Sequence, residues 1–119
     1  MTVATAPVDA VFRALSDPTR RQVLERLTQG PASVSELAEP FDMKLPSFVQ
    51  HLGILEECRL VSSEKQGRVR TYRIDLERMK LAEEWLASQR KVWEARLDRL
   101  DEYLKRLNQR NKNQQGKTT

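Results

Sequence analysis

One cysteine, one histidine, four glycines and five prolines in 119 residues leave several kinds of chemistry without material. The single cysteine, Cys58, excludes an intrachain disulfide. With a single histidine, His51, no Gly-rich phosphate loop and no nucleophile beside a partnered base, an enzyme reading has nothing to stand on, and no cofactor is expected. No apolar run approaches the roughly 20 residues of a membrane span, and the stretch from Met1 to Pro7 lacks the basic and apolar regions of a signal peptide. A cytoplasmic protein without a membrane partner is therefore expected. The composition, 39% hydrophobic and 32% charged, is that of a globular, helix-rich chain with one core.

The net charge of +4 is less telling than its distribution. Lys105, Arg106, Arg110, Lys112 and Lys117 lie in a C-terminal stretch without an acid, so the first 104 residues sum to −1. What counts is local. Residues 44–73 carry six basic groups (Lys44, Arg59, Lys65, Arg68, Arg70 and Arg73) against three acids, and four of the six fall in one hairpin.

Residues 8–15 place Val8, Val11, Phe12 and Leu15 at helical spacing until Ser16 interrupts. Asp17-Pro18 starts a second helix, because Asp accepts orphan N–H groups and Pro at the first position has none to lose. That helix buries Val23, Leu24 and Leu27, and Gly30-Pro31 ends it. Ser33 with Glu36 forms a capping box for a short third helix, in which Val34, Leu37 and Ala38 face inward. Pro46 opens a fourth helix whose buried stripe is Leu45, Phe48, Leu52 and Leu55; at about 100° per residue the opposite face holds Pro46, Gln50, Gly53 and Glu57, flanked by Ser47 and Val49. Leu60 to Lys65 and Arg68 to Ile74 are β-branched-rich runs separated by Gln66-Gly67, which predicts a two-stranded hairpin.

Short capped helix, tight turn, Pro-started helix and basic hairpin, in that order, are the parts of a winged helix-turn-helix. The fold class expected is mainly α with a small β-hairpin. Such an assembly lays one helix in the DNA major groove and the hairpin along neighbouring phosphates. Ser47 and Gln50 are the candidates for base contacts, Gln because it pairs bidentately with adenine, and Val49 either meets a thymine methyl or pads the edge of the core. Lys44, Lys65, Arg68 and Arg70 are the candidate phosphate contacts. His51, beside the Leu52 stripe, reads as a half-buried structural histidine that touches a phosphate at most. Arg20 and Arg21 read as partners of local acids, with a DNA contact as the alternative, and Cys58 as a small buried residue.

A further helical pattern runs from about Leu76 to Leu107. Some 30 residues at 1.5 Å rise span roughly 45 Å, against about 30 Å for a domain of about 75 residues. Trp93, Leu97, Leu100, Leu104 and Leu107 step by fours and threes, a seam longer than the preceding domain could cover. The economical cover is the same helix of a second subunit; the alternative is a monomer whose last helix folds back onto its own core. The organisation expected is a DNA-binding domain over 8–75, a dimerisation helix over 76–107 and a disordered basic tail over 108–119, rich in Asn, Gln and Lys.

The segments ALSDPTRRQVLERL (14–27), SVSELAEPFDMKLPSFVQHLGILEECRLV (33–61) and EKQGRVRTYRID (64–75), in this order and spacing, resemble the ArsR/SmtB family of winged helix-turn-helix regulators. The likeness is greatest to the subgroup with a PFDM turn and a Trp-containing last helix, often described as metal-independent. It implies a homodimer that binds a palindromic operator, usually to repress. Members usually carry Ser where this chain has Lys44, Ser at 49, a basic residue at 50 and often at 53, and Gly where it has Arg59. The departures point to an individual sequence preference, and Arg59 to either a strained left-handed residue or a shortened helix. Members that sense metals use cysteines in the helix before the turn or Asp, His and Glu along the last helix. Ser33 to Glu39 has no Cys and the last helix no His; His51 and Cys58 lie about 10 Å apart along one axis, too far to share an ion. No metal is expected. The competing reading from another class is a winged-helix protein-interaction module that does not touch DNA.

Overall fold

The computed structural model describes residues 7–116; the first six residues of the stretch read as leaderless, and 117–119 of the tail, lie outside the described residues. The elements run α1 (Pro7–Leu15), α2 (Pro18–Leu27), β1 (Ala32–Ser33), α3 (Val34–Ala38), α4 (Leu45–Glu57), β2 (Val61–Gln66), β3 (Val69–Ile74) and α5 (Met79–Gly116). They group into two compact units, one ending at Glu83 and the other beginning at Glu84.

Local signals place the helices of the first unit. Asp17 caps α2, its carboxylate accepting the Arg20 N–H at 3.1 Å. Ser33 and Glu36 close the capping box of α3 with two bonds of 3.2 Å. Both carboxyls are held below their ordinary values: at Asp17 burial pushes upward but the Arg20 N–H and the nearby His51 and Arg20 outweigh it, and at Glu36 the Ser33 backbone and hydroxyl do the lowering. Side chains of Val11, Ala14, Val23, Leu24, Leu27, Leu37, Phe48, Leu52, Leu55 and Leu60 close one core, joined by Ala82 from the start of α5.

Three expectations need correction. The hairpin is two strands of a three-stranded antiparallel sheet in the order β1-β3-β2, because Ala32 and Ser33, just ahead of the α3 cap, pair with Tyr72 and Thr71. A two-residue strand leaves no period to read. Leu45 is 55% exposed, since α4 begins at that residue and its first turn precedes the buried turns at Phe48, Leu52 and Leu55. Finally, α5 starts at Met79 and continues past Leu107 to Gly116. The expectation of disorder over 108–116 rests on burial, yet a helix satisfies its backbone internally.

The end of α4 settles the alternatives at Arg59. Its φ is +58°, the left-handed region. The Arg59 N–H reaches the Glu56 carbonyl at 3.0 Å and the Leu60 N–H the Leu55 carbonyl at 3.0 Å, the paired bonds of a Schellman cap. Leu55 and Leu60, both fully buried, supply its apolar contact.

Candidate nucleic-acid interface

The α4 helix presents the candidate reading residues as sequence periodicity predicts. Phe48, Leu52 and Leu55 face the core, and Ser47, Val49 and Gln50 are exposed, Val49 at 44%. At 44% Val49 is partly covered and still open to a partner. The turn from α3 is held by the Phe41 ring against Phe48, with centroids 5.3 Å apart, and by the Phe41 N–H on the Ala38 carbonyl at 3.0 Å. Lys44 stands at the N-cap of α4 with no side-chain cap bond, so the first N–H groups of the helix have no side-chain partner there and its ammonium is exposed.

Sheet register sorts the wing residues. Lys65 pairs directly with Arg70, Ser63 with Tyr72 and Val61 with Ile74. Alternation along the strands puts these six on one face, the face that is buried at Val61 and Tyr72. Lys65 and Arg70 therefore stand opposite one another at the exposed end of that face, a pairing of like charges that disfavours itself unless an anion lies between or beside them. Arg68 sits in the turn, not at the start of β3, which begins at Val69. Gly67 has φ +63°, the positive value that a two-residue hairpin turn requires at its first central position.

Composition did not reveal how Arg70 is held. Its Nη1 donates to Ser63 Oγ at 2.8 Å, and the Ser63 hydroxyl donates to Glu56 Oε1 at 2.7 Å. The relay joins the hairpin to α4. Its signal in the sequence is the diagonal register of Ser63 and Arg70, legible only once the strand pairing is fixed.

Arg20 and Arg21 do not pair chiefly with acids. Arg20 Nε and Nη2 donate to the carbonyls of Ala14 and Arg13 at 2.9 and 3.0 Å, and Arg21 Nη1 to that of Leu15 at 2.7 Å. These are the orphan acceptors at the end of α1. His51 is half-buried as expected, its side chain 22% exposed, with Nδ1 at 3.1 Å from Arg20 Nη1 and 3.6 Å from Asp17 Oδ2. Cys58 is buried, and burial pushes its thiol up, away from the thiolate form.

The second unit carries the seam. Trp93, Leu97, Leu100 and Leu104 are 60%, 59%, 52% and 52% exposed on α5. The Arg96 guanidinium lies 5.8 Å from the centre of the Trp93 ring.

Comparison with known proteins agrees with this geometry. Residues 15–64 match the sequence profile of a helix-turn-helix domain. The chain is 42% identical over 67 residues to the HTH-type transcriptional regulator Rv2034 of Mycobacterium tuberculosis, covering 56% of this chain and 63% of that one, and so spans less than two thirds of that relative. It is 37% identical over 65 residues to the transcriptional repressor SdpR of Bacillus subtilis, covering 55% and 72%. The crystal structure of the ArsR family transcriptional regulator RHA00566 is 51% identical and superposes with a TM-score of 0.73, covering 79% of this chain and 97% of that one. No described helix is long and apolar enough to cross a membrane. The chain belongs to the ArsR family of winged helix-turn-helix transcriptional regulators.

Proposed function

We propose that this protein is a homodimeric, sequence-specific regulator of transcription, a repressor, that reads a palindromic operator with α4 and grips the flanking phosphates with its wing. The carrying observation is the exposed Ser47, Val49 and Gln50 on α4 in the same unit as the opposed Lys65 and Arg70 of the sheet. Two cations opposed across a ladder repel each other, and a phosphate oxygen beside them turns that repulsion into binding energy. The α5 seam from Trp93 to Leu104 supplies the self-complementary surface that two-fold symmetry requires.

We read the chain as metal-independent. Cys58 is buried with its thiol pushed up, the Nδ1 of His51 is engaged by Arg20, and no group of three or more ligating side chains stands together among the described residues. A soft ion on the outer nitrogen of His51 would put the ring proton on Nδ1 against Arg20, and it would have to open the core to reach Cys58.

Selection of duplexes from a random pool, followed by titration at several salt concentrations, tests the function. A palindrome should emerge. Six to eight phosphate contacts over two subunits give a log-log salt slope of roughly −5 to −7. Arg68→Ala weakens all sequences alike and flattens the slope by about one unit for each phosphate it no longer neutralises, whereas Gln50→Ala relaxes preference at one position per half-site, by roughly 1 to 3 kcal/mol. A uniform loss across all single-base variants for Gln50→Ala would remove that residue from the reading face. Recovery of no enriched duplex would leave the protein-interaction reading standing.

A further inference from the structure

Arg20 is the charged residue buried among the core of the first unit, at 8% exposure. Two of its N–H groups cap the end of α1 on the Ala14 and Arg13 carbonyls. The third, from Nη1, crosses to α4 and meets His51 Nδ1 at 3.1 Å. A guanidinium has only donors and keeps its charge, so Nδ1 must accept, and the proton of the neutral ring then lies on Nε2. Asp17 Oδ2, 3.6 Å from the same nitrogen, is beyond hydrogen-bond reach and already accepts the Arg20 backbone N–H at 3.1 Å. Two groups thus converge on Nδ1 and none on Nε2. No buried side-chain nitrogen or oxygen among the described residues lacks a partner, so Nε2 opens to solvent.

We propose that Arg20 is a positioning residue for the reading helix: it fixes His51 in the Nε2–H tautomer and turns that N–H outward as a neutral, preset donor to a backbone phosphate of bound duplex. The orientation of a histidine ring through its inner nitrogen, so that the outer one acts, is the device that also sets metal-bound and catalytic histidines. Here it links α2, which carries no reading residue, to α4 one position after Gln50. The tautomer stands without the DNA-binding reading, and the phosphate contact rests on it.

His51 is the only histidine, so a long-range proton–nitrogen correlation spectrum of the untagged, 15N-labelled full chain reads its ring without ambiguity. We expect an unprotonated Nδ1 and a protonated Nε2 in the free protein at a pH where the ring is neutral. Arg20→Lys, with a shorter, unforked head, averages the two tautomers. On the selected duplex, His51→Asn reduces affinity on the order of tenfold, the scale of one hydrogen bond to a charged group, Arg20→Lys reduces it by about twofold per subunit, the cost of drawing one of two tautomers, and the double variant reduces it no further than His51→Asn alone. Asn offers its carbonyl oxygen to Arg20 in place of Nδ1, while its NH2 stands where the ring has Cδ2 and does not reach the position of Nε2. A ring protonated on Nδ1, or averaged in the wild type, overturns the positioning role whatever the DNA result and even if Arg20→Lys fails to fold. A fixed tautomer with unchanged operator affinity in His51→Asn overturns the phosphate contact. Failure of the wild type to bind any duplex overturns the function proposed above and with it the phosphate contact, while the tautomer is decided by the spectrum of the free protein alone.

Discussion

Residues 7–83 and residues 84–116 draw on the same apolar side chains and dispose of them in opposite ways. In the first unit Leu27, Leu37, Leu52, Leu55 and Leu60 are at most 2% exposed; in the second Leu97, Leu100 and Leu104 are more than half exposed. Helical periodicity is present in both. What differs is opposition: four shorter helices and a sheet turn their apolar faces on one another, whereas a lone helix has one apolar stripe and nothing of its own unit to set against it. A period in the sequence therefore specifies an element and its apolar face, and the identity of what covers that face is a separate question. In the second unit the heptad relation of Trp93 to Leu100 and of Leu97 to Leu104 is the form that a second copy of the helix fits.

Two sets of substitutions press hardest on the contrast. Leu97→Asp with Leu100→Asp should convert a particle of twice the chain mass to one of single mass by light scattering, and lower operator affinity by at least a hundredfold as half-sites lose their linkage. Leu52→Ala should cost about 2 to 5 kcal/mol of unfolding free energy through the cavity it leaves, with the mass by light scattering unchanged in conditions where the protein stays folded. An unaltered mass in the double Asp variant, or loss of the dimer in folded Leu52→Ala, would erase the distinction between the two units.

A smaller effect sharpens it from the side of the caps. Asp17→Ala removes the cap of α2 and should destabilise the fold by about 1 kcal/mol at neutral pH. The Asp17 carboxyl is depressed in the folded state, so its contribution is present above the ordinary carboxylate range and is lost as pH falls through the folded value. The gap between wild type and variant in urea melts should close in acid. A gap of constant size down to the lowest pH at which the protein folds would mean that the charge of Asp17 contributes nothing.

Most of the first unit is legible in the sequence because its signals are local. Asp17-Pro18, the Ser33 and Glu36 pair, and the step from Phe48 to Leu52 to Leu55 each act within one or two turns of the chain. The surface of α4 follows from the same period, which is why Ser47 and Gln50 fall where expected. What escapes depends on contacts between distant segments. Strand β1 exists only because Ala32 and Ser33 lie along Tyr72 and Thr71; the Glu56, Ser63 and Arg70 relay needs the strand register; and the Arg20 contact with His51 needs α2 packed on α4. Arg20 misleads because a charge in a sequence suggests an opposite charge, whereas the ends of helices offer carbonyls that serve a guanidinium as well. The extension of α5 to Gly116 is hidden for the converse reason, because the expectation asks burial of a segment whose backbone bonds are all its own.

The smallest change concerns the junction of α4 and the wing. Arg59 holds φ +58°, and its side chain is exposed on the surface, so the strained backbone is not offset by burial of the side chain. An L-residue in this region carries a strain of the order of 1 kcal/mol that glycine does not, although glycine also gains freedom in the unfolded chain. The Schellman bonds use backbone atoms alone and survive the exchange. Arg59→Gly should then raise unfolding free energy by up to about 1 kcal/mol, the strain relieved less the added chain entropy. Arg59 also belongs to the local basic excess, so the same variant separates two roles. If the residue serves the backbone only, operator affinity and its salt slope stay as they are while stability rises. A slope flatter by about two units, one for each subunit, with affinity reduced on every sequence, would show instead that the chain retains a strained arginine because it meets phosphate. A fall in stability would deny the strain itself and place the helix end under the control of the arginine side chain.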